Sequence, residues 1–442
     1  MDLEGYAKRA LRRGEDRDII LRKLKERIIE IKDISEGKAH LLAKAVLEEA
    51  NATLHPDSDI TSFSASGVTM GDFGVGSRGH GDFYAHQKIA EVIGETGAFI
   101  DSSQMDDSGV VSIDGNYVVL TVDGMHSRLS DFPFLAGFHV TRAALRDIYV
   151  MGARPIMLFS DIHLADDGDV AKIFDYTAGI TTVSELVGVP LVTGSTLRIG
   201  GDMVIGDRMT GCVGAVGIAS VLTARKSARP EDMILMTEGA GGGTIAATAL
   251  YFRRSNVVME TLNTIFLDAC KLLFDNEIIA KIHAMTDVTN GGIRGDATEI
   301  SKTAGVKLVF IEEKIRSLVN KTVLRMLDEL EIDYLGVSLD ALLIIAPKNV
   351  AETILEVLRK HDISVEIIGH IEEGSGAALI QNGELHELTP KFRESAYTPI
   401  KKVVGEFPSV NLSQMQRKVD EAAERAKEKK QNILEFILGK KP

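Results

Sequence analysis

The chain of 442 residues is long enough for about three domain-sized units, and its 45% hydrophobic content is that of an ordinary globular protein. Its net charge of −14 argues against a general role in binding nucleic acids or membrane surfaces, because both need clustered positive charge. Its two cysteines, Cys212 and Cys270, predict neither a disulfide framework nor a thiolate zinc site. With no signal-like N-terminus and no apolar run of about 18 residues, we expect a cytoplasmic protein.

Two α/β domains flanked by helical segments are predicted along the chain. Apolar residues at helical spacing predict a helical extension over residues 1–58. Strand-like runs alternate with helical patterns over residues 60–220 and again over 233–390, which is typical of layered α/β domains. The polar stretch 221–232 is interpreted as the linker between them, and residues 400–442 as a C-terminal helical tail. The terminal helices could recruit a partner protein or cover a dimer.

A glycine-rich segment lies ahead of the first predicted strand. Its glycines are Gly67, Gly71, Gly74, Gly76, Gly79 and Gly81. Glycine weakens helices and strands, but it lets backbone N–H groups approach a polyphosphate closely. The spacing matches neither the Rossmann nor the P-loop fingerprint. A flexible linker is one interpretation; the interleaved Arg78, His80 and His86 favour a mobile lid over phosphate.

Three carboxylates cluster at the ends of a predicted β-hairpin. Asp106 and Asp107 come just before a strand predicted over Gly109–Ile113, and a second strand at 117–122 leads into Asp123. Hard divalent cations prefer such oxygen ligands and usually bring phosphate with them. The alternative is an ordinary solvated turn.

A fourth acid, Asp147, lies on the otherwise apolar face of a helix predicted over residues 136–151. A carboxylate there is costly to bury unless it is paired or bound to a metal. The pattern therefore leaves two interpretations, a metal ligand or a salt bridge. The candidate salt-bridge partners are Arg142, Arg146 and Arg154.

A fifth acid, Asp287, precedes a predicted turn, Thr289-Asn290-Gly291-Gly292, that leads into a helix. The glycine-containing start of a helix is a natural anion site. Simple capping of the helix by Asn290 is the alternative. Glu299, further along this helix, could belong to the same site or equally be a solvated surface acid.

In this order, the motifs resemble those of the aminoimidazole ribonucleotide (AIR) synthetase superfamily. That superfamily includes selenophosphate synthetase, thiamine monophosphate kinase, formylglycinamide ribonucleotide amidotransferase and a hydrogenase-maturation dehydratase. The resemblance spans about residues 60–385. The matching segments are Asp-Asp-Ser-Gly-Val-Val at 106–111, Thr-Val-Asp-Gly at 121–124, Arg-Asp-Ile-Tyr-Val-Met-Gly-Ala-Arg-Pro at 146–155, Gly-Val-Pro-Leu-Val-Thr-Gly-Ser-Thr at 188–196, Ser-Ala-Arg-Pro-Glu-Asp at 227–232 and Asp-Val-Thr-Asn-Gly-Gly at 287–292.

The resemblance implies a two-domain α/β fold in which the N-terminal domain forms a dimer barrel with its partner. ATP would lie between the domains, with its phosphates under the glycine-rich loop. The implied Mg²⁺ ligands are Asp106, Asp107, Asp123 and Asp147, with Asp287 approaching from the second domain. The candidate catalytic cations are Arg78, His80, His86 and Lys88. Further candidates for nucleotide binding are Thr121, Gly194, Ser195, Thr196, Thr289, Asn290, Gly291 and Gly292.

We therefore expect a homodimeric, Mg²⁺- and ATP-dependent enzyme that phosphorylates or activates a small acceptor. The shared chemistry of the superfamily is attack on the γ-phosphorus, which needs alignment and charge neutralisation more than covalent help. One departure is the stretch Thr193-Gly194-Ser195-Thr196, where the superfamily often has an acid. Ser195 in that position favours the alternative, a non-catalytic nucleotide-binding or assembly protein that keeps the fold.

Overall fold

The structure is a computed structural model that describes residues 1–56, 58–408 and 411–439. The predicted helical extension therefore includes one residue outside the described part, residue 57. The predicted C-terminal tail includes five such residues, at 409–410 and 440–442.

Three helices form a small bundle at the start of the chain. They are α1 (Leu3–Arg12), α2 (Arg17–Ile31) and α3 (Glu36–Ala52), and each begins at a side-chain cap that accepts hydrogen bonds from first-turn amides. Their buried apolar residues form a core of their own, as the helical spacing predicts. Lys32, which follows α2, ties the bundle to the first α/β domain through an ion pair of 2.7 Å with Asp167.

The glycine-rich segment contains two helices, α4 (Met70–Phe73) and α5 (His80–Ile93). Between them the chain turns through residues with positive φ, among them Gly76 at 85° and Arg78 at 43°. Asp82 fixes this turn, because its carboxylate accepts hydrogen bonds from the backbone N–H of Gly76 (2.8 Å) and of Arg78 (2.7 Å).

The first α/β domain is a five-stranded sheet with two helices on one face. Its elements are β1 (Gly109–Ile113), β2 (Asn116–Gly124), α6 (Pro133–Val150), β3 (Arg154–Leu164), α7 (Ala171–Val187), β4 (Leu191–Arg198) and β5 (Met209–Ala219). The strand order is β1-β2-β5-β3-β4, and only β3 and β4 run parallel. Helices α6 and α7 cover one face. Apolar side chains on the opposite face, such as Leu120 and Ile218, stay exposed.

The second α/β domain is a seven-stranded sheet of order β12-β11-β8-β10-β6-β9-β7. Its elements are β6 (Met233–Thr237), α8 (Gly243–Tyr251), α9 (Ser255–Glu260), α10 (Ile265–Asp275), β7 (Ala284–Asp287), α11 (Gly292–Ala304), β8 (Val306–Ile311), α12 (Glu312–Leu318), α13 (Lys321–Glu329), β9 (Leu342–Ala346), α14 (Lys348–Arg359), β10 (Val365–Glu373), β11 (Gly376–Gln381) and β12 (Glu384–Glu387). Helices cover the central strands, so that every residue of β9 is buried.

Two helices follow the second domain, α15 (Pro399–Val404) and α16 (Leu412–Leu438). Helix α16 packs along α5. Phe73, Phe392 and Met415 form a small core that joins the glycine-rich segment to the chain on either side of α15. The described part of the chain contains no helix with the length and hydropathy of a membrane span.

Candidate functional site

A cavity of about 830 Å³ lies where the two α/β domains and the glycine-rich segment meet the chain that follows β12, which we call the C-terminal segment. The end of β2 and one face of α6 supply one wall, and the starts of α8 and α11 supply another. All five aspartates singled out in the sequence, from Asp106 to Asp287, line this cavity. The arrangement brings together residues that are up to about 180 positions apart in sequence.

Three of the aspartates are close enough to share one cation. Asp107 precedes β1, Asp147 lies on α6 and Asp287 ends β7, yet one carboxylate oxygen of each lies within 4.8 Å of the others. The second oxygen of Asp287, Oδ1, is buried and has no hydrogen-bond partner among the described residues. Hard oxygen donors of this kind fit Mg²⁺.

The environment of these acids favours their neutral form when no cation is present. Burial raises the pKa of Asp107 to about 7, with Arg225 opposing the shift. Burial likewise raises the pKa of Asp123 to about 6, opposed by Arg146. Burial also raises the pKa of Asp147, and the neighbouring Asp123 adds to the effect. A bound cation would reverse this preference.

Asp147 is not held by the salt bridge that the sequence left open. Among the described residues it forms no ion pair, and its Oδ2 instead accepts a hydrogen bond from the hydroxyl of Thr121 at 2.9 Å. Arg146 pairs with Asp287 at 2.9 Å and also contacts Asp340. Arg142, the other buried arginine of α6, contacts Asp340 as well.

Arg225 is a site residue that the sequence did not reveal. Its side chain is fully buried and pairs with Asp107 at 2.6 Å and with Glu299 at 3.1 Å. It also donates to the hydroxyl of Thr286 at 2.8 Å. The stretch 221–232, interpreted as a linker, thus carries a buried cation that compensates the acids. Glu299 is itself buried rather than a solvated surface acid.

The glycine-rich segment brings Arg78 into the cavity. The guanidinium lies 3.1 Å from Glu299, 3.7 Å from Asp296 and 3.9 Å from Asp107. His86 also lines the cavity, 3.5 Å from Asp82. Of the glycines, Gly76 lies in the wall of the cavity, whereas Gly74 begins the turn with φ of 70°.

Two glycines of this segment serve packing rather than an approach to phosphate. A Cβ at Gly79 would lie 2.2 Å from the carbonyl oxygen of Phe392, and one at Gly81 would lie 1.7 Å from that of Phe73. The segment is therefore packed against the chain near residue 392, and neither a loose linker nor an open lid describes its conformation in the structure. Gly71 lies in α4, outside the cavity wall.

Several predicted site residues lie away from the cavity. His80 lines a different cavity of about 660 Å³ beside β8, β11 and β12. Lys88 points to α16, where it pairs with Asp420 at 3.1 Å. Three more predicted residues lie on β4, at the edge of the first sheet, where they are exposed. Strands β5 and β3 separate β4 from β2, so these residues lie away from the cavity. Those three are Gly194, Ser195 and Thr196.

The turn into α11 contributes two side chains, Thr289 and Asn290, to the cavity wall. The capping role that the sequence left open for Asn290 is not observed. The N-cap residue is Gly291, and Asn290 instead accepts a hydrogen bond from the Thr244 hydroxyl at 2.8 Å. Gly291 and the following Gly292 both have positive φ and pack too closely for a Cβ, with Arg78 and with Leu335.

The chain also matches known proteins in sequence. The family model described as "AIR synthase related protein, N-terminal domain" matches residues 105–219, and the model described as "AIR synthase related protein, C-terminal domain" matches residues 229–382. An uncharacterized protein of Methanocaldococcus jannaschii is 51% identical and aligns over 100% of this chain and 99% of its own. A selenide, water dikinase of Myxococcus xanthus is 30% identical over 49% of this chain and 61% of its own. A thiamine-monophosphate kinase of Pyrococcus horikoshii is 25% identical over 64% and 87%.

Solved structures share the fold. A chain of the structure described as the HypE-HypF complex superposes with a TM-score of 0.54 at 22% identity, over 66% of this chain and 96% of its own. The hydrogenase maturation protein HypE in complex with ATP gives a TM-score of 0.52 at 19% identity, over 74% of this chain and 92% of its own. With both domain models matched in order, the chain belongs to the AIR synthase-related protein family.

Proposed function

We propose that this protein is a Mg²⁺- and ATP-dependent enzyme that transfers the γ-phosphoryl group of ATP to a small acceptor, or activates the acceptor in that way. The observation that carries the proposal is the cluster of Asp107, Asp147 and Asp287 in the wall of one cavity between the two domains. Three carboxylates this close, with Asp287 buried and the other two partly buried, repel one another unless a cation lies between them. The named activities of two relatives, a dikinase and a kinase, support the same chemistry.

Each group in the cavity has a role under this proposal. Asp107, Asp147 and Asp287 would hold Mg²⁺, which when bound would neutralise charge on the triphosphate. Thr121 orients Asp147 through its hydrogen bond. Arg78 and His86, which line the cavity from the glycine-rich segment, would face the phosphates, with Arg78 supplying positive charge. In the transfer, an acceptor oxygen bonds to the γ-phosphorus while the bond to the β–γ bridging oxygen breaks, and ADP leaves.

The proposal includes a homodimer. The face of the first sheet opposite α6 and α7 carries exposed apolar side chains on four strands, which is unusual for a surface in water. Pairing of two such faces would bury them. A second copy of the chain is the partner that the family resemblance implies.

Calorimetric titration with the non-hydrolysable nucleotide AMPPNP tests the proposed site. We expect binding in the presence of Mg²⁺ and a loss of at least tenfold in affinity with EDTA or in Asp147→Asn. The matched control is Asp275→Asn, since Asp275 is exposed and its one ion pair among the described residues is with Arg154. The proposal would be contradicted if the wild-type protein, Asp147→Asn and Asp275→Asn all bound the nucleotide with equal affinity, with or without Mg²⁺.

A second measurement on the wild-type protein distinguishes an enzyme from a non-catalytic binding protein. ADP release is followed with ATP, Mg²⁺ and candidate small acceptors. Acceptor-dependent release supports group transfer. Tight Mg²⁺-dependent nucleotide binding without turnover on any acceptor would favour the non-catalytic alternative.

A further inference from the structure

Part of the cavity wall comes from a segment that lies beyond the matched family domains. The C-terminal domain match ends at residue 382, whereas Glu394, Tyr397 and Lys401 all line the cavity. The segment is firmly attached to the second domain. The backbone N–H of Ser395 donates to the carbonyl of Gly336 at 3.1 Å, and Lys402 donates to the carbonyl of Leu330 at 2.8 Å.

The segment meets the residues that follow β2. Tyr397 and His126 are joined by a hydrogen bond of 2.9 Å between the phenol oxygen and Nε2. His126 comes three residues after Asp123, so this wall adjoins the acidic cluster. Arg128, two residues further on, also lines the cavity, and its guanidinium forms no ion pair or hydrogen bond within the described ranges.

The hydrogen-bond pattern leaves the Tyr397 hydroxyl able to donate into the cavity. The backbone N–H of Arg128 donates to Nδ1 of His126 at 3.3 Å, so Nδ1 carries no proton. Burial lowers the pKa of His126 to about 4, and the neutral ring therefore carries its proton on Nε2 and donates it to Tyr397. Burial raises the pKa of Tyr397 well above its usual value, so the hydroxyl keeps its own hydrogen. That hydrogen has no acceptor among the described residues.

The charges in this part of the cavity sum to a positive value. Arg128 and Lys401 contribute two cations, and His126 is neutral. Glu394 contacts Lys401, and burial raises its pKa to about 7, with the nearby carboxylate of Asp82 adding to the shift. Its Oε2 is buried and has no partner among the described residues. A cationic patch that also holds a free acceptor suits a ligand with an anionic group beside a hydroxyl or amine.

We propose that Arg128, Tyr397 and Lys401 bind an anionic oxygen group, carboxylate or phosphate, of the small acceptor, while Glu394 accepts a hydrogen from a neighbouring hydroxyl or amine. The proposal deepens the proposed function and rests on it, since it assigns the acceptor to a chemical class. The acidic cluster and the cationic patch then divide the cavity. Metal-bound phosphates lie at the aspartates, and the acceptor's anionic group lies at the C-terminal segment.

Calorimetric titration with inorganic phosphate and, separately, with acetate tests the anion site. Each titration is made with and without saturating Mg²⁺ and AMPPNP. We expect at least one anion to bind in the millimolar range to the wild-type protein while nucleotide is bound. Tighter binding of phosphate would indicate a phosphate-bearing acceptor, and tighter binding of acetate would indicate a carboxylate-bearing one.

Two variants are chosen because they should leave the fold intact. Arg128→Gln removes a guanidinium that has no partner among the described residues, and Tyr397→Phe removes only the hydroxyl. Each should weaken anion binding at least fivefold without changing the affinity for Mg²⁺–AMPPNP. Lys402→Gln is the matched control, because Lys402 adjoins Lys401 but points to Leu330. Lys401→Gln should also weaken the anion, although it leaves Glu394 without its cation.

The outcomes separate this inference from the proposed function. Anion binding that Arg128→Gln and Tyr397→Phe both leave unchanged overturns the inference, and so does the absence of binding by either anion to the wild-type protein. Neither result affects the aspartate site. Loss of Mg²⁺-dependent nucleotide binding in the wild-type protein would instead contradict the proposed function, whatever the anions do.

Discussion

Asp107 connects most of the charged groups in the cavity. It is buried, it shares a cation-sized space with Asp147 and Asp287, and it pairs with Arg225. Burial raises the pKa of Asp107, the neighbouring Asp287 and Asp106 add to the shift, and Arg225 and Arg78 oppose it only in part. The charge balance of the cavity is therefore incomplete in the metal-free protein, and a divalent cation would complete it.

This balance predicts how stability depends on pH. The folded protein holds the proton of Asp107 up to a pKa of about 7, whereas the unfolded chain releases it near pH 4. The stability that this group provides below pH 4 is therefore lost as the pH rises to about 7, by on the order of 4 kcal/mol. In EDTA, we expect the free energy of unfolding to fall more steeply over this range in the wild-type protein than in Asp107→Asn, as measured by urea denaturation.

Saturating Mg²⁺ provides the control for this experiment. Metal ligands must be ionised, so Mg²⁺ should bind more tightly as the pH rises and should offset the loss of stability. Parallel pH profiles for the wild-type protein and Asp107→Asn in EDTA would mean that this carboxyl titrates normally in the fold.

At the scale of whole elements, the glycine-rich segment depends on the C-terminal segment. Helix α5 packs against α16, and the backbone near Phe392 lies against Gly79. The loop that carries Arg78 into the cavity is thus positioned by residues more than 300 positions later in the chain. Loosening this contact should disturb both the local fold and the cavity.

Gly81→Ala tests the packing of α5 on α4 and on the ring of Phe392, next to that contact. Gly81 has ordinary helical backbone angles, but a Cβ there would lie 1.7 Å from the Phe73 carbonyl oxygen, so the helix must shift. We expect a loss of about 1–3 kcal/mol in the free energy of unfolding, the usual cost of overpacking, and weaker Mg²⁺–AMPPNP binding. The matched control is Gly71→Ala, where the nearest atom is Thr69 Oγ1 at 4.0 Å. Equal stability of the two variants, measured by urea denaturation, would show that α5 can move away without cost.

The elements that the sequence predicts well are those with a complete local signal. β1 has its predicted bounds, because it is a short apolar run flanked by turn residues. β7 was not singled out, since its four residues become a strand only by pairing with β9. Helix α15 begins at Pro399, one residue before the predicted helical tail of 400–442.

The same distinction applies to the site. The five aspartates could be singled out because each adjoins a strand, helix or turn with its own pattern. Arg225 could not, because its burial depends on Asp107, 118 positions away, and its neighbours resemble a linker. Tyr397 and Lys401 depend in the same way on contacts made far along the chain, and a short helical tail gives no local sign of them.

For the whole molecule, the open face of the first sheet determines the expected assembly. Val111, Leu120, Val122, Ile156 and Ile218 lie on β1, β2, β3 and β5, and each is at least 38% exposed. On β2, Leu120 alternates with the buried Val119 and Thr121, which face α6, so it points away from the helices. A sheet face of this kind is stable in water only when another surface covers it.

Charges placed on this face should separate the subunits. In Leu120→Lys/Ile218→Lys, each symmetric interface would bury four ammonium groups without partners, at several kcal/mol for each desolvated ion. Light scattering after size exclusion should give about twice the chain mass of 47.9 kDa for the wild-type protein and the chain mass for the double variant. Val403→Lys, at an 88% exposed position on α15, should leave the dimer intact. A wild-type monomer, or a double variant that stays dimeric, would exclude this face as the interface. If the double variant is monomeric, its Mg²⁺-dependent nucleotide binding shows whether the partner contributes to the site, because the aspartate cavity lies within one chain.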